Sequence, residues 1–469
     1  RDEATSDPHT QEECQILSQY GFKEKLTVEE KLSMIRTFNA LLTPLRVLKE
    51  IATNPQKAEL LWAFEDNVEK RKQIPNGLEK EYKVAKLIQE QLQLDIETNK
   101  ILRISGIYES NSFEVPLSDN QKHRGCAIFS TVCMMNHSCT FNVQIAFFDG
   151  LAHVWATQDI PSGSPITLNY SQLFLGTPAR RCALAKSKLF LCQCLRCMDP
   201  TELGTHLSSV KCPKCDTGLL VPPANRKEPW PCCSCKTSIS ISTIEMLTNL
   251  TATFMAKVDK NNVSCMKKIL SMMEQHLGAQ NSTSVELKHH LVTRIMKEPL
   301  QELSTDDLWS LIDMTESLLK VVNLVAPGKP FIRGHILLYH ARASHELLFR
   351  HYCDENNHTI DTLLSETRTE NCPNETIKEC ENSMFSRVIL SERDMEPVLY
   401  KDRKLDEINI SELLQQIQES RIILKGERRR PKDTRVLEAF LTRLLQKQNE
   451  PRSICNNSKN THTTELTII

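Results

Sequence analysis

The chain has 469 residues, a formal net charge of −1 and a sequence pI near 7.0, so it carries no global basic field of the kind that drives tight nucleic-acid binding. At 40% hydrophobic residues it holds no apolar run near 18, which argues against a membrane span and for a soluble chain. It is too long for one core and predicts about two to four domains.

The first strong signal is helical, from about residue 27 to 104. Thr27-Val28-Glu29-Glu30 fits a capping box, and Leu32, Ile35, Phe38, Leu42 and Leu45 follow at helical spacing. Pro44 is expected to kink or end that helix. A second apolar series, Val84, Leu87, Ile88, Leu92 and Ile96, follows a break at Pro75-Asn76-Gly77. From Gly106 the pattern changes to short strands, with runs at 126–129, 143–148 and 151–156 and a hairpin signal at Asp149-Gly150. Pro161-Ser162-Gly163 turns the chain before a last run at 166–170.

Cysteine usage carries the chemistry. Eighteen cysteines in tight C-x-C and C-x-x-C clusters favour metal ligation over a disulfide framework, and with it a reducing compartment. Sequons such as those at Asn249 and Asn374 point weakly the other way. Cys192, Cys194 and Cys197 place three thiolates within six positions, too few for a tetrahedral zinc site, and Cys139 is the natural fourth. Cys212, Cys215, Cys232 and Cys235 form C-x₂-C-x₁₆-C-x₂-C, a zinc-ribbon spacing in which Cys233 competes with Cys232 as ligand. Gly218 and Trp230 suit a small knuckle around it, while Cys126 and Cys133 read as small buried apolar residues.

Beyond residue 241 the pattern is helical again. Ile336, Leu337, His340, Ala343, Leu347 and Leu348 keep one apolar face, as do Val436, Leu437, Phe440, Leu441 and Leu444. Residues 425–432 are basic around Arg428, Arg429 and Arg430, which reads as a solvated loop with nuclear import or an anionic partner as the alternative. After Pro451 the tail is polar and expected to be disordered.

Asn136-His137-Ser138-Cys139, a tyrosine at 170 after the Ile160-x-x-Gly163 turn, and Phe190-x-Cys-x-Cys-x-x-Cys together resemble the SET domain of protein lysine methyltransferases. Their surroundings resemble the SET and MYND (Smyd) family, in its arthropod branch. The resemblance implies an α+β fold: small curled β-sheets (105–176), a zinc-stapled post-SET segment (177–200), a helical insertion (15–104), a second zinc-ribbon-like cluster (201–240) and an all-α C-terminal domain of stacked helices like tetratricopeptide repeats (241–450). No regular 34-residue period is visible in that last part. His9 and Cys14 resemble the final ligands of a MYND finger whose other cysteines would lie upstream of Arg1, as would the glycine-bearing cofactor loop; the chain is therefore expected to be a fragment.

By the same resemblance the activity is S-adenosylmethionine-dependent methylation of a protein lysine, on a histone tail or another protein, in nucleus or cytoplasm. Tyr170 is then catalytic; Asn136, His137, Tyr170 and Phe190 contact the cofactor; about two structural Zn²⁺ ions are held by Cys139, Cys192, Cys194 and Cys197 and by Cys212, Cys215, Cys232 and Cys235. The helical domain would serve protein partners. Three departures favour the alternative, a catalytically weak or inactive SET and zinc scaffold for protein interaction and transcriptional regulation. Thr140-Phe141-Asn142 replaces the usual residue-Pro-Asn, the turn at 163–170 lacks its usual acidic residues, and Lys188 stands where many members carry an aromatic lining the substrate-lysine channel. Lys188 either faces that channel or turns to solvent.

Overall fold

The computed structural model describes residues 28–116, 124–148, 150–223, 228–356, 408–424 and 441–442, with the side chains of 28–40, 91 and 352–356 excepted. Expectations at His9, Cys14, Thr27, Asp149, the basic run and the polar tail lie outside the described residues, as do Val436, Leu437, Phe440 and Leu444. The chain divides into two compact units: Arg1–Asp259 with Ser264–Leu287 and Val321–Pro330, and Lys260–Val263 with Lys288–Lys320 and Phe331–Ile469. No helix among the described residues is long and apolar enough to cross a membrane.

The first unit opens with helices α1 (Val28–Thr53), α2 (Pro55–Trp62), α3 (Val68–Lys72), α4 (Glu79–Lys86, extended by a π turn at Leu87–Gln91) and α5 (Thr98–Asn111). Asn54 starts α2 by accepting the Lys57 N–H at 3.1 Å, with Pro55 at the first helical position where no N–H is needed. Leu41, Val84, Ala85, Ile88 and Ile101 form the helical core, joined by Leu45, Leu87, Leu92 and Ile96. The second apolar series thus meets Leu45 of the first in this core, while the side chains of Leu32, Ile35 and Phe38 lie outside those described. Pro44 does not end α1, which continues to Thr53; Leu41 and Leu45, on either side of it, hold the helix to that core. Nor do strands begin at Gly106. Residues 98–111 form one helix, because Ile101, Leu102, Ile104 and Ile107 are all buried. Gly106 is the close-approach point, since a Cβ there would lie 2.2 Å from the Asp66 carbonyl oxygen.

Five two-stranded sheets follow among the described residues. β1 (Phe113–Pro116) pairs antiparallel with β2 (Arg124–Ala127), and after the short α6 (Ser130–Cys133) comes β3 (Asn136–His137). β4 (Val143–Phe148) and β5 (Leu151–Ala156) form a hairpin with Phe148 opposite Leu151, so the turn is the two-residue one expected. β6 (Thr167–Leu168) lies parallel to β3. Val132, Val143 and Leu168 form the core beneath them, with Phe113, Phe129, Ile145, Val154 and Tyr170 packed against it. Cys126 is exposed on β2 and Cys133 half-buried, which corrects their reading as core residues.

Next come α7 (Thr177–Ser187), α8 (Leu195–Met198), the hairpin pair β7 (Val210–Lys211) and β8 (Leu219–Leu220), and the pair β9 (Trp230–Pro231) and β10 (Ser238–Ile239). Trp230, Val210, Leu220 and Ile244 build a small core with Met273 and Leu277. The remaining helices are α9 (Ile241–Ala256), α10 (Val263–His276), α11 (Ser282–Ile295), α12 (Thr305–Val325), α13 (Phe331–Asn356) and α14 (Ile410–Leu424). In the second unit α13 packs on α14. Ala341 and Leu348 meet Ile410, Leu413, Ile417 and Leu441, and Ser420 donates to the Gly334 carbonyl at 2.8 Å. The apolar face read along 336–348 is buried as expected.

Gly106→Ala should destabilise the first unit by about 1–3 kcal/mol, the usual cost of forcing extra volume into a close contact. The urea midpoint of purified protein checks this, and an unchanged midpoint would mean that α5 and the Asp66 loop are not held as described.

Candidate active site and metal centres

Four thiols meet where β3 ends and α8 begins. Cys139, Cys192, Cys194 and Cys197 each turn a sulfur inward, all within 4.8 Å of one another. Cys139 Sγ lies 3.9 Å from that of Cys192 and 3.5 Å from that of Cys197. A tetrahedron with metal–sulfur bonds of about 2.3 Å has edges of about 3.8 Å, so this is the separation a zinc ion requires and far beyond a disulfide. Four thiols this close cannot all ionise without a cation between them. Hydrogen bonds from Cys139 and Cys197 hold Cys194 well below its ordinary range, and those from Cys194 and Cys197 push Cys139 above it.

The second set, Cys212, Cys215, Cys232 and Cys235, shows the same spacing, with Cys212 to Cys235 and Cys215 to Cys232 both at 3.7 Å. Backbone N–H groups of Lys214 and Ser234 point at the Cys212 and Cys232 sulfurs, at 3.4 Å each. Gly218 leaves the room: a Cβ there would lie 2.3 Å from Cys232 Sγ and 2.7 Å from Cys215 Sγ. The ambiguity between adjacent thiols is thereby resolved. Cys233 is exposed, and its sulfur accepts the Leu219 N–H at 3.3 Å outside the set. Both clusters fit a structural zinc ion with no open position for a substrate.

A buried ionic network supports the first cluster and was not foreseen. Arg180 and Arg196 are fully buried. Arg180 donates to Cys139 Sγ at 3.2 Å, to Cys197 Sγ at 3.4 Å and to Glu202 at 2.7 Å; Arg196 reaches Glu202 at 3.2 Å and the carbonyls of Leu173 and Leu175 at 3.0 and 3.1 Å. Glu202 also accepts from Ser208 and from the Thr177 N–H. Four thiolates around a divalent ion keep two negative charges, and two guanidiniums with one carboxylate offset half of that. Burial would raise Glu202, yet Arg180 and Arg196 hold it below the usual carboxylate range; Arg196 is pushed down to about 10 by burial and by Arg180 beside it. The available signal was arginine interleaved with ligands, Arg196 lying between Cys194 and Cys197, but spacing could not name Glu202 as the acid that closes the network.

The cluster also anchors the candidate catalytic residues. Parallel pairing sets Asn136 opposite Thr167 and His137 opposite Leu168, which brings two sequence-distant motifs together. Asn142 locks that register by accepting the Thr167 N–H at 2.8 Å and donating to the Pro165 carbonyl at 2.9 Å. The Tyr170 N–H donates to His137 Nδ1 at 3.0 Å, so the proton sits on Nε2, which lies 3.2 Å from Cys139 Sγ. Burial foremost pushes this imidazole down to about 4, leaving it neutral. Ring centroids of Tyr170 and Phe190 lie 5.3 and 5.9 Å from that of His137, and Asn136 is exposed beside them. Tyr170 and Phe190 thus flank the His137 ring, with both His137 nitrogens committed inside the protein.

Tyr170 donates its hydroxyl proton to the Met135 carbonyl, and burial raises the phenol above its ordinary range. Lys188 does not turn to solvent. It is half-buried, its Nζ stands 5.6 Å from the centroid of the Tyr170 ring, and it donates to the Ser110 carbonyl at 2.6 Å. Between Lys188 and Phe190, Leu189 sits in the left-handed region at φ 57°, a conformation that costs a residue with a Cβ about 1–2 kcal/mol.

The SET domain family profile matches residues 34–171, the stretch holding Asn136, His137 and Tyr170. The chain carries a SET domain, and the proteins it is similar to are of the Smyd type. "SET domain-containing protein SmydA-8, isoform A" of Drosophila melanogaster is 27% identical over 249 residues, 51% of this chain and 54% of its own length. "N-lysine methyltransferase SMYD2" of Homo sapiens is 37% identical over 87 residues, 19% of this chain and 20% of its own, and "N-lysine methyltransferase SMYD2-A" of Xenopus laevis 34% over 97 residues, 20% and 22%. The chain spans about half the length of the fly relative and about a fifth of the two vertebrate ones.

Protein with this SET domain, purified without added metal, should contain about two zinc ions per chain by elemental analysis. Gly218→Ala should reduce that to about one, since its methyl would occupy the space between two sulfurs; an undiminished content would remove the second cluster as a metal site. Arg180→Met strips Glu202 of one of its two cations beside the thiolates. It should cost about 3–5 kcal/mol, the loss typical of breaking a buried ion pair from one side, read as a lower denaturation midpoint.

Proposed function

We propose that this chain transfers a methyl group from S-adenosylmethionine to a lysine side chain of a protein substrate. The observation that carries the reading is the β3 to β6 pairing, which brings His137 beside Tyr170, with Phe190 against the same ring and Asn136 exposed next to it in the chain. An exposed amide, a half-buried aromatic ring and a phenol suit an adenosyl sulfonium: the amide for polar edges, the Phe190 ring for a planar base, and the phenol oxygen for positive charge. When bound, the donor supplies a methyl activated by its sulfonium for in-line displacement.

The protein's part is orientation and charge. His137 positions its neighbours, because its nitrogens hold the Tyr170 backbone and face Cys139. With its proton committed to Met135, the Tyr170 oxygen presents lone pairs to the cleft, where they stabilise the positive methyl and orient the incoming amine. Cys139, Cys192, Cys194 and Cys197 would hold a zinc ion, and so bound they would keep Phe190 in place through ligands two and more residues away. The name "N-lysine methyltransferase" borne by the vertebrate relatives supports lysine as the acceptor; a histone tail is one substrate of this class, and nucleus and cytoplasm are the compartments where reduced thiolate clusters persist.

A second reading, a zinc-bearing interaction scaffold of little activity, draws on Lys188, which already covers the Tyr170 ring. Tyr170→Phe separates the two. Methyl transfer to a protein mixture should fall about a hundredfold or more while donor binding by calorimetry stays within error. Equal transfer by both proteins would take Tyr170 out of the mechanism, and donor binding without transfer by the wild type would favour the scaffold.

A further inference from the structure

The carbonyls at the end of α5 have separate partners. The last turn of a helix leaves its C=O groups unpaired and partly negative. Here the Ser112 N–H takes the Tyr108 carbonyl at 2.9 Å, the Cys133 thiol takes that of Asn111 at 3.2 Å, and the Lys188 ammonium takes that of Ser110 at 2.6 Å. The lysine is held at its base too, its own N–H closing α7 on the Leu184 carbonyl at 2.8 Å. From there its charge lies over the Tyr170 ring face. Arg71, Glu109 and Cys133 are the other titratable groups that act on it, and Glu109 is engaged by Arg71 at 2.6 Å.

An aromatic face beside a carbonyl is what an incoming alkylammonium would seek. We propose that Lys188 is a tethered internal cation that occupies the cation-binding face of Tyr170, so that a substrate lysine gains its place only by displacing Lys188 from Ser110 and Tyr170, and the site selects acceptors against charge. This rests on the reading of the Tyr170 cleft as the acceptor site. Lys188 is a specificity-determining residue in this account. The competition has a simple origin: two ammonium groups cannot share one ring face in a half-buried cleft, where their repulsion is far less screened than in water.

The test compares binding of a fluorescein-labelled peptide pool carrying lysine at its centre with the same pool carrying norleucine, on full-length wild type, Lys188→Met, Lys188→Gln and Lys188→Arg. Donor calorimetry and a melting curve accompany each variant as checks on folding. The two neutral variants should raise the preference for lysine over norleucine roughly tenfold above wild type, the order of a partly desolvated cation–π contact. Lys188→Arg, which keeps the charge and can still cap α5, should hold the wild-type ratio. A merely capping lysine would move stability in the neutral variants and leave the ratio alone. Equal ratios in wild type and the neutral variants overturn the proposal, as does a rise in Lys188→Arg matching theirs. Methyl transfer absent from every variant while the binding contrast persists would remove the methyltransferase reading and leave the tethered cation standing.

Discussion

Arg180 is the side chain on which the cleft depends. Its guanidinium touches the sulfurs of Cys139 and Cys197 and the carboxylate of Glu202, so it joins the end of β3, the α8 turn and the following loop through one planar cation. Five donors in a fixed fork suit this task, and a lysine could not span the same partners. Thiolates gathered without such a neighbour would keep their full charge in a dry environment. With it, residues 139 and 192–197 close on each other, and everything attached follows: His137 two residues before one ligand, Phe190 two residues before another.

That chain of attachment explains a division of labour within Asn136-His137-Ser138-Cys139. The cysteine binds, the histidine transmits, and the asparagine alone stays open to solvent. His137 is half-buried and neutral between a backbone N–H and a sulfur, so its orientation is set by Cys139 on one side and by the tyrosine strand on the other. The four-cysteine cluster and Tyr170 are therefore parts of one hydrogen-bonded unit.

Much of this was legible in the sequence because it rests on periodicity and ligand spacing. The hairpin at 143–156, the helical series at 84–96 and both four-cysteine sets were readable from side-chain type alone. What escaped had a different physical basis. Gly106 read as the start of strands because an isolated glycine signals a break, whereas here it lets a helix press on the Asp66 carbonyl. Pro44 read as a stop because local sterics say so, and the packing of Leu41 and Leu45 overrode them. Glu202 and Arg196 were invisible as a pair because the carboxylate sits in a turn after α8, where no period marks a buried partner. The direction of Lys188 was undecidable for the same reason: an orphan carbonyl at the end of α5, 78 residues earlier, holds it.

Leu189 has a consequence of its own. It is the single left-handed residue between Lys188, whose charge lies over Tyr170, and Phe190, whose ring leans toward His137. The two side chains that would meet the acceptor and the donor therefore pivot on one backbone unit, and a ligand that resets either shifts the other. Thermodynamic linkage makes such influence mutual: whatever affinity the donor confers on the acceptor, the acceptor returns to the donor in equal measure. In the proposed reaction a strained leucine would thus place the coupling between donor and acceptor contacts within a tripeptide, with no need of a moving domain.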